Sequence, residues 1–527
     1  MSETSRIVKA AGVVGAATLA SRILGFIRDA VIAWYFGAGL SSDAFIAAFR
    51  IPNLLRRLFA EGSLSSAFVP VFTEYLVKQG QTEAFYLARS AFRLLGGILL
   101  VVAIGGVLLS PWIVRVIAPG FSADKLALTI ILTRLMFPYI FFIGLVALCM
   151  GILNVLGHFA APAFAPVLLN LSIIGSVFFI SPSLTPPVIG LAVGVLIGGF
   201  LQLALQLPVL IKTGFYFWEK AKIIHPGLKR VGALMPPVIL GGAVYQINIL
   251  VGTLLGSLLE QGSVTYLYFA DRLVQFPLGV FAIATATAVL PSLSRQAATG
   301  DLDPLKDTFA QALKLVVFIM MPATVGLIIL REPIVALLFQ RGEFDAQATR
   351  LTAQALLYYS IGLWAFSAVR IVAVTFFALQ DTRTPVKMAG ISILANIVLG
   401  VVLMKPLAHG GLALATSLAS MLNLGLLLGA LRTRLGTLGW KSIALSVCRS
   451  LVCSIVMGIG VHMVVSFMIP DIDCTLSGLI GGVAGSIVVG LIIYGVGSYL
   501  IKSPELSLVI VEAGRGIDKK WPRRKKF

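Results

Sequence analysis

Long apolar runs separated by short polar stretches recur along the whole chain. Leu94–Leu109, Ile140–Leu156, Val188–Leu207 and Gly478–Tyr494 carry almost no charge, and each approaches the ~20 residues that a helix needs to cross hydrocarbon. A β-barrel would show short alternating segments instead, and the pattern has none. Hydropathy and helix breakers predict about fourteen spans, near 8–36, 43–78, 86–113, 126–155, 162–181, 187–212, 229–259, 264–296, 306–331, 347–379, 384–404, 409–432, 443–469 and 476–501. The predicted class is an all-α polytopic membrane protein.

Composition agrees: 58% of the 527 residues are hydrophobic and 12% charged, outside the range of soluble domains. The net charge of +19 does not form a soluble basic domain, so nucleic acid is excluded as a partner. The basic residues fall in alternate loops: Lys78/Arg89/Arg93, Lys212/Lys220/Lys222/Lys229/Arg230, Arg295/Lys306, Arg383/Lys387 and Arg432/Arg434/Lys441. The opposite loops 37–42, 181–187, 260–263 and 470–474 contain no Lys or Arg. Arg115/Lys125, Lys405 and the 331–350 stretch are exceptions. Positive charge marks the cytoplasmic side, so both termini are predicted to be cytoplasmic. The tail Lys519–Lys526 suits an anionic lipid surface. Arg6 and Lys9 ahead of an apolar run imitate a signal peptide, but the helical pattern continues to Phe36, so a retained first span is expected. Cys149, Cys448, Cys453 and Cys474 lie mostly in apolar segments and read as packing residues.

A weak internal repeat runs through the chain. Ser66–Pro70 resembles Thr287–Pro291 at an offset of 221, Ser110–Val114 resembles Glu332–Val335 at 222, and the Pro162/Asn170 segment resembles Pro385/Asn396. The offset spans six helices, an even number, so both copies point the same way, as in parallel-repeat transporters. The expected organisation is a first six-helix bundle over 1–222, a second over 223–436, two additional helices over 437–503 and a basic tail over 504–527.

Intramembrane cations then change the picture. A cation at mid-bilayer costs about 2.5–3.5 kcal/mol on insertion scales and normally faces a wet or protein-lined interior. Arg22, Arg28, Arg56 and Arg57 lie within apparent spans, with Arg50 beside them. Arg22 and Asp29, seven apart, are expected to share a helix face. The acids Asp29, Asp43 and Glu61 are outnumbered, which points to a central cationic cavity meeting an anion. Guanidinium suits phosphate through its bidentate fork. The plainer alternative is that Arg28 pairs with Asp29, and Arg57 with Glu61, or that the arginines snorkel. Asp271 and Arg272 supply charge in the second copy, where Asp271 aligns with Arg50; a salt bridge at a helix start is the alternative. Arg370 is a further cation inside a span. Asn170 and Asn396 either hold a cation or bridge helices. Pro52 and Gly62 are expected to bend the second span. The four histidines lack metal spacing, and no GxxxxGK[ST] loop occurs, so no cofactor, metal or enzymatic chemistry is expected.

The segments SRILGFIRD, FGAG followed by Asp43, PNLLRRLFAEG, AFVP, APGF, YFADRL and QDTRTPVK resemble the MurJ/MviN lipid II flippases of bacteria, within the multidrug/oligosaccharidyl-lipid/polysaccharide exporter superfamily. The resemblance covers essentially the whole chain. It implies alternating-access transfer of lipid II, the undecaprenyl-pyrophosphate-linked peptidoglycan precursor, from the cytoplasmic to the periplasmic leaflet of the inner membrane. It implies substrate-binding roles for Arg22, Arg28, Arg56 and Arg272, and gating or charge roles for Asp43 and Glu61; Asp29, Arg57 and Asp271 are expected as charge-pairing residues from the charges beside them. The two helices beyond the repeat would form a groove for the lipid tail, and membrane lipids and cell-wall synthesis proteins are the further partners implied. The residues alone leave three rivals: a flippase for another polyprenyl-linked oligosaccharide, a drug or cation antiporter, which would want an acidic lining, and a non-transporting membrane scaffold, which would tolerate loss of the cavity charges.

Overall fold

The computed structural model describes residues 3–57, 64–220, 222–223, 225–469 and 475–508. Glu61, Gly62, Cys474 and the basic tail lie outside them. Among the described residues there are eighteen α-helices and no strand: α1 (Glu3–Phe36), α2 (Leu40–Leu55), α3 (Leu64–Lys78), α4 (Gln81–Ile117), α5 (Ala123–Met136), α6 (Tyr139–Val155), α7 (Ala160–Phe179), α8 (Ile189–Lys212), α9 (Pro226–Ser257), α10 (Ser263–Pro277), α11 (Ile283–Thr299), α12 (Leu302–Ile329), α13 (Arg331–Phe339), α14 (Ala346–Ile361), α15 (Leu363–Ala378), α16 (Arg383–Leu435), α17 (Trp440–Met468) and α18 (Leu476–Leu500).

Nine described helical segments are long and apolar enough to cross a membrane, or ten when α14 and α15, bent by 43°, count as one. The expected fourteen exceeds that number, partly because α2 and α3, at 16 and 15 residues, are each too short to cross by themselves. α16 runs for 53 residues, about 80 Å at ~1.5 Å per residue, far more than a ~30 Å hydrocarbon layer. It is two helices joined at Ala408, whose φ of 47° and ψ of −130° break the helical path after Pro406.

The chain divides into two compact units, one of residues 1–265 with 341–345, the other of 266–340 with 346–527. In the first, α1 packs along α7, α7 along α8, α2 along α5, and α3 against α6 and α9. Its core includes Ile51, Leu99, Phe137 and Ile140. α9 belongs to this unit by its contacts, although the sequence repeat begins the second bundle before it; a repeat is a property of chain pattern, a compact unit one of packing. Loop 341–345 closes on the end of α1, where Glu343 N–H donates to the Trp34 carbonyl at 3.0 Å. Gly37 and Gly342 permit this approach: both have positive φ, and an added Cβ at either would lie 2.3 Å from a backbone oxygen of the other strand of the contact.

In the second unit α12 packs on α15 and α17, and α17 on α18. Phe318, Cys453, Met457, Val461 and Tyr494 form the joint, and the Tyr494 hydroxyl donates to the Phe318 carbonyl at 2.7 Å. The two helices beyond the repeat are thus bolted to α12. Cys149 and Cys453 are buried and unbridged.

The α15–α16 connection is held by one carboxylate. Asp381 accepts from the Arg383 and Thr384 N–H groups at 3.0 Å and from the Thr384 hydroxyl at 2.5 Å, and pairs with Arg434 at 2.6 Å. Burial pushes its pKa up, but the Thr384 hydrogen bonds and the Arg434 charge outweigh this and hold it below the ordinary carboxylate value. A lowered native pKa stabilises the fold above the unfolded-state value, and that contribution is lost as pH falls through the native one. Comparing wild-type with Asp381→Asn in detergent, the melting-temperature gap is expected to stay constant from pH 7 to about 5 and to shrink below about 4. A gap independent of pH down to 3 would contradict this.

Candidate functional site

Among the sequence-selected cations, Arg28 is the most deeply placed. It is 8% exposed and Asp29 2%. Its Nε and Nη2 donate to Asp29 Oδ1 at 3.0 and 2.6 Å, and its Nη1 donates to Asn170 Oδ1 at 3.0 Å. Asn170 in turn donates to the Ser21 carbonyl at 3.0 Å, so it stitches α7 to α1. The plainer alternative therefore holds for the Arg28–Asp29 pairing and for Asn170 as a bridge. One consequence follows for mutagenesis: Arg28→Ala would take a charge partner from a buried carboxylate, a structural penalty that obscures any binding role.

Arg22 behaves differently. It is exposed and makes no hydrogen bond or ion pair among the described residues, whereas Asp29 is buried. The expected shared face of Arg22 and Asp29 does not translate into a shared environment. The two are about 10 Å apart along the helix axis, and the flank of α1 around Leu19, Ile23 and Ile27 is itself exposed.

Arg56 terminates α2. Its Nε and Nη2 both reach Asn53 Oδ1, at 3.2 and 3.0 Å, so a short polar side chain one turn back orients the guanidinium. Arg56 and Arg57 lie in a π-turn; Arg57 is half-buried, with its Nε unpaired among the described residues. Its expected partner Glu61 lies outside the described residues. A second π-turn covers Leu278–Ala282, between α10 and α11. Leu278 follows Arg56 by 222 positions, the repeat offset, so the same backbone irregularity occurs in both copies. π-turns leave carbonyls off the regular ladder and are frequent at functional sites. The bend expected from Pro52 thus has its counterpart in a turn just beyond it.

Arg272 lies one turn before Pro277. Its Nη2 donates to the Tyr268 hydroxyl at 2.8 Å and its guanidinium lies 5.0 Å from the Tyr268 ring centre. Asp271, also half-buried, accepts from Gln275 at 3.5 Å. Arg370 is exposed on α15. Asn396 accepts from Thr416 at 3.5 Å, joining the two arms of α16.

Among the described residues, Asp43 is the most deeply buried acid. It is 1% exposed; Oδ2 accepts from Lys125 Nζ and from Gly262 N–H, both at 2.8 Å. Oδ1 accepts from Thr265 N–H at 3.0 Å and its hydroxyl at 2.7 Å. One carboxylate at the start of α2 thereby caps the N-terminus of α10, where unpaired N–H groups and the helix dipole favour an anion. Gly262, with φ of +94°, turns the chain so that its N–H points at the carboxylate. Thr265 follows Asp43 by 222 residues, so repeat-equivalent first turns bond to each other. Lys125, a topology exception in the sequence, is 5% exposed; it is Asp43's counter-ion rather than a loop charge. Sequence reasoning missed that role, and also missed Arg134, a cation within the apolar 126–155 span. The insertion-cost argument that singled out Arg22 would have found Arg134. No cluster of three or more metal-ligating side chains occurs among the described residues.

Comparison with known proteins matches residues 32–474 to the family described as Lipid II flippase MurJ. The probable lipid II flippase MurJ of Vibrio cholerae serotype O1 is 41% identical over 433 residues, covering 80% of this chain and 82% of that protein. Lipid II flippase MurJ of Burkholderia cenocepacia is 38% identical over 423 residues, covering 79% and 82%. The solved structure of a lipid II flippase MurJ in an inward closed conformation is 28% identical with a TM-score of 0.77, covering 93% of this chain and 98% of that one. An inward-facing transporter of the multidrug resistance MATE family aligns at a TM-score of 0.67 over 80% of this chain and 96% of that one, and at 17% identity it shares the fold alone.

Proposed function

Since this chain belongs to the lipid II flippase MurJ family, we propose that it carries lipid II from the cytoplasmic to the periplasmic leaflet by alternating access. The observation that carries the residue-level reading is a pair of repeat-related π-turns, one containing Arg56 and the other beginning six residues after Arg272. Arg56 is held by Asn53 and Arg272 by Tyr268, each through a hydrogen bond that aims the guanidinium. Pyrophosphate is matched to such forks, while the polyprenyl chain stays in lipid. Arg22, exposed on α1, extends the cationic set toward the cytoplasmic end. Arg28 acts with Asp29 as a neutral, rigid support, and Asp43 with Lys125 and Thr265 serves as the gate.

Both termini and the basic loops lie in the cytoplasm on this reading, and the protein resides in the bacterial inner membrane as a transporter rather than an enzyme. A ligand shifts the balance between two states only by binding one more tightly. The cationic residues must therefore meet pyrophosphate differently before and after transfer. The membrane potential, worth about 2.3 kcal/mol per charge per 100 mV, is a fitting drive. The test is replacement: cells depleted of their own flippase and expressing this chain should regain growth and lipid II on the outer leaflet. Normal membrane expression without either recovery overturns the assignment. Recovery of another polyprenyl-linked oligosaccharide in place of lipid II redirects it.

A further inference from the structure

Arg134 stands on the outer flank of the first unit, on helices that carry none of the residues assigned above to substrate binding. It lies in the last turn of α5 and is exposed, although the helical segment Ala123–Val155 is one of the spans long and apolar enough to cross a membrane, at 33 residues. That segment is about 50 Å long, and Arg134 is about 17 Å from its start at ~1.5 Å per residue. With ~30 Å of hydrocarbon centred on the segment, the Arg134 backbone sits roughly 7 Å beneath the apolar boundary. A guanidinium on a side chain of that length reaches the phosphate level by snorkelling.

The surroundings identify this flank as lipid-facing. Ile131, one turn earlier on α5, is 44% exposed, and Leu108, Leu109 and Trp112 on the adjoining α4 are 71%, 55% and 68% exposed. Trp112 is the residue type that anchors at headgroup depth. A cation here is not floppy. Its Nε donates to the Ser110 hydroxyl at 3.1 Å, and that hydroxyl is completely buried and itself donates to the Val107 carbonyl at 2.9 Å. The two helices come this close because Gly106, one turn before Ser110, lies under the Phe137 ring, where any Cβ would overlap it.

Tethered by Nε, the guanidinium has two terminal nitrogens that bond to no described residue, and no described carboxylate pairs with it. Charged N–H groups at apolar depth require an acceptor, and what the bilayer offers there is phosphodiester oxygen. We infer that Arg134 and Ser110 form an external binding site for the phosphodiester of an anionic membrane phospholipid, distinct from the substrate path.

The test uses the full-length protein, purified in detergent and titrated with phosphatidylglycerol while bound lipid is counted by native mass spectrometry. Arg134→Gln should weaken phosphatidylglycerol retention roughly tenfold, the scale of one charge-assisted hydrogen bond. Arg134→Lys should retain part of it, and Ser110→Ala, which frees the fork without removing charge, should fall between. Arg115→Ala, at the end of α4, should match wild-type. Inorganic phosphate at millimolar concentration should not displace the lipid, because acyl chains hold it at the apolar flank. Unchanged retention in Arg134→Gln, in a protein melting at the wild-type temperature, overturns the proposal, as does equal competition by free phosphate. If Arg134→Gln fails to fold, Ser110→Ala decides: wild-type retention in that variant also overturns it.

Discussion

Asp43→Ala is expected to destabilise the protein by about 3–5 kcal/mol, the range for removing one partner of a buried ion pair. The carboxylate satisfies four donors at once: Lys125 Nζ, the N–H groups of Gly262 and Thr265, and the Thr265 hydroxyl. Its loss strands a buried ammonium and uncaps α10, the helix that carries Asp271 and Arg272 further along. Asn is not a conservative replacement, because its amide would present hydrogens to Lys125 or Thr265. A double-mutant cycle separates the terms: Lys125→Met alone strands the carboxylate, whereas Asp43→Ala with Lys125→Met removes both charges and should cost less than the two singles added. Thermal unfolding in detergent reads stability, and lipid II exposure in depleted cells reads function. Should Asp43→Ala melt with wild-type, this carboxylate is not the fastening point the geometry describes.

Arg272→Ala is expected to cut lipid II translocation by one to two orders of magnitude, roughly the effect of truncating a buried charged partner, without a large loss of stability. The contrast with Arg28 makes this variant informative. Arg28 is tied to a buried carboxylate, so deleting it disturbs the core of α1; Arg272 is half-buried and is held by the Tyr268 hydroxyl and ring. Arg272→Lys keeps the charge but loses the fork and should fall between wild-type and Ala. Tyr268→Phe keeps the ring, drops the hydrogen bond and should produce a smaller defect, since the guanidinium is then less well aimed. Full rescue of depleted cells by Arg272→Ala at normal expression would refute the cationic mechanism.

The second prediction turns on a distinction that the family resemblance did not draw. It gave Arg28, Arg56 and Arg272 one role, with the pairing of Arg28 and Asp29 standing as the alternative. Their neighbours divide them: a carboxylate at the adjacent position for Arg28, Asn53 within one turn for Arg56, Tyr268 within one turn for Arg272. Those partners are local, and helical spacing made each of them visible in principle. Partners that come from far along the chain were not visible. Lys125 reaches Asp43 across 82 positions, and Thr265 across 222.

Hydropathy is a one-dimensional quantity, and it sufficed to determine the all-helical membrane class, the placement of most helices and the crowding of cations in the first two. Repeat spacing likewise foresaw that two parts of the chain share a backbone plan, which the paired π-turns display at the expected offset. Helix formation in lipid is compelled by the need to satisfy every backbone group internally, so local pattern is enough to read it. Charge pairing has no such compulsion. Which acid neutralises which base depends on which helix faces pack together, and that was decided only in the tertiary structure. There Lys125 became a counter-ion, Asn170 a bridge to Arg28, and Arg134 a tethered cation on the apolar flank.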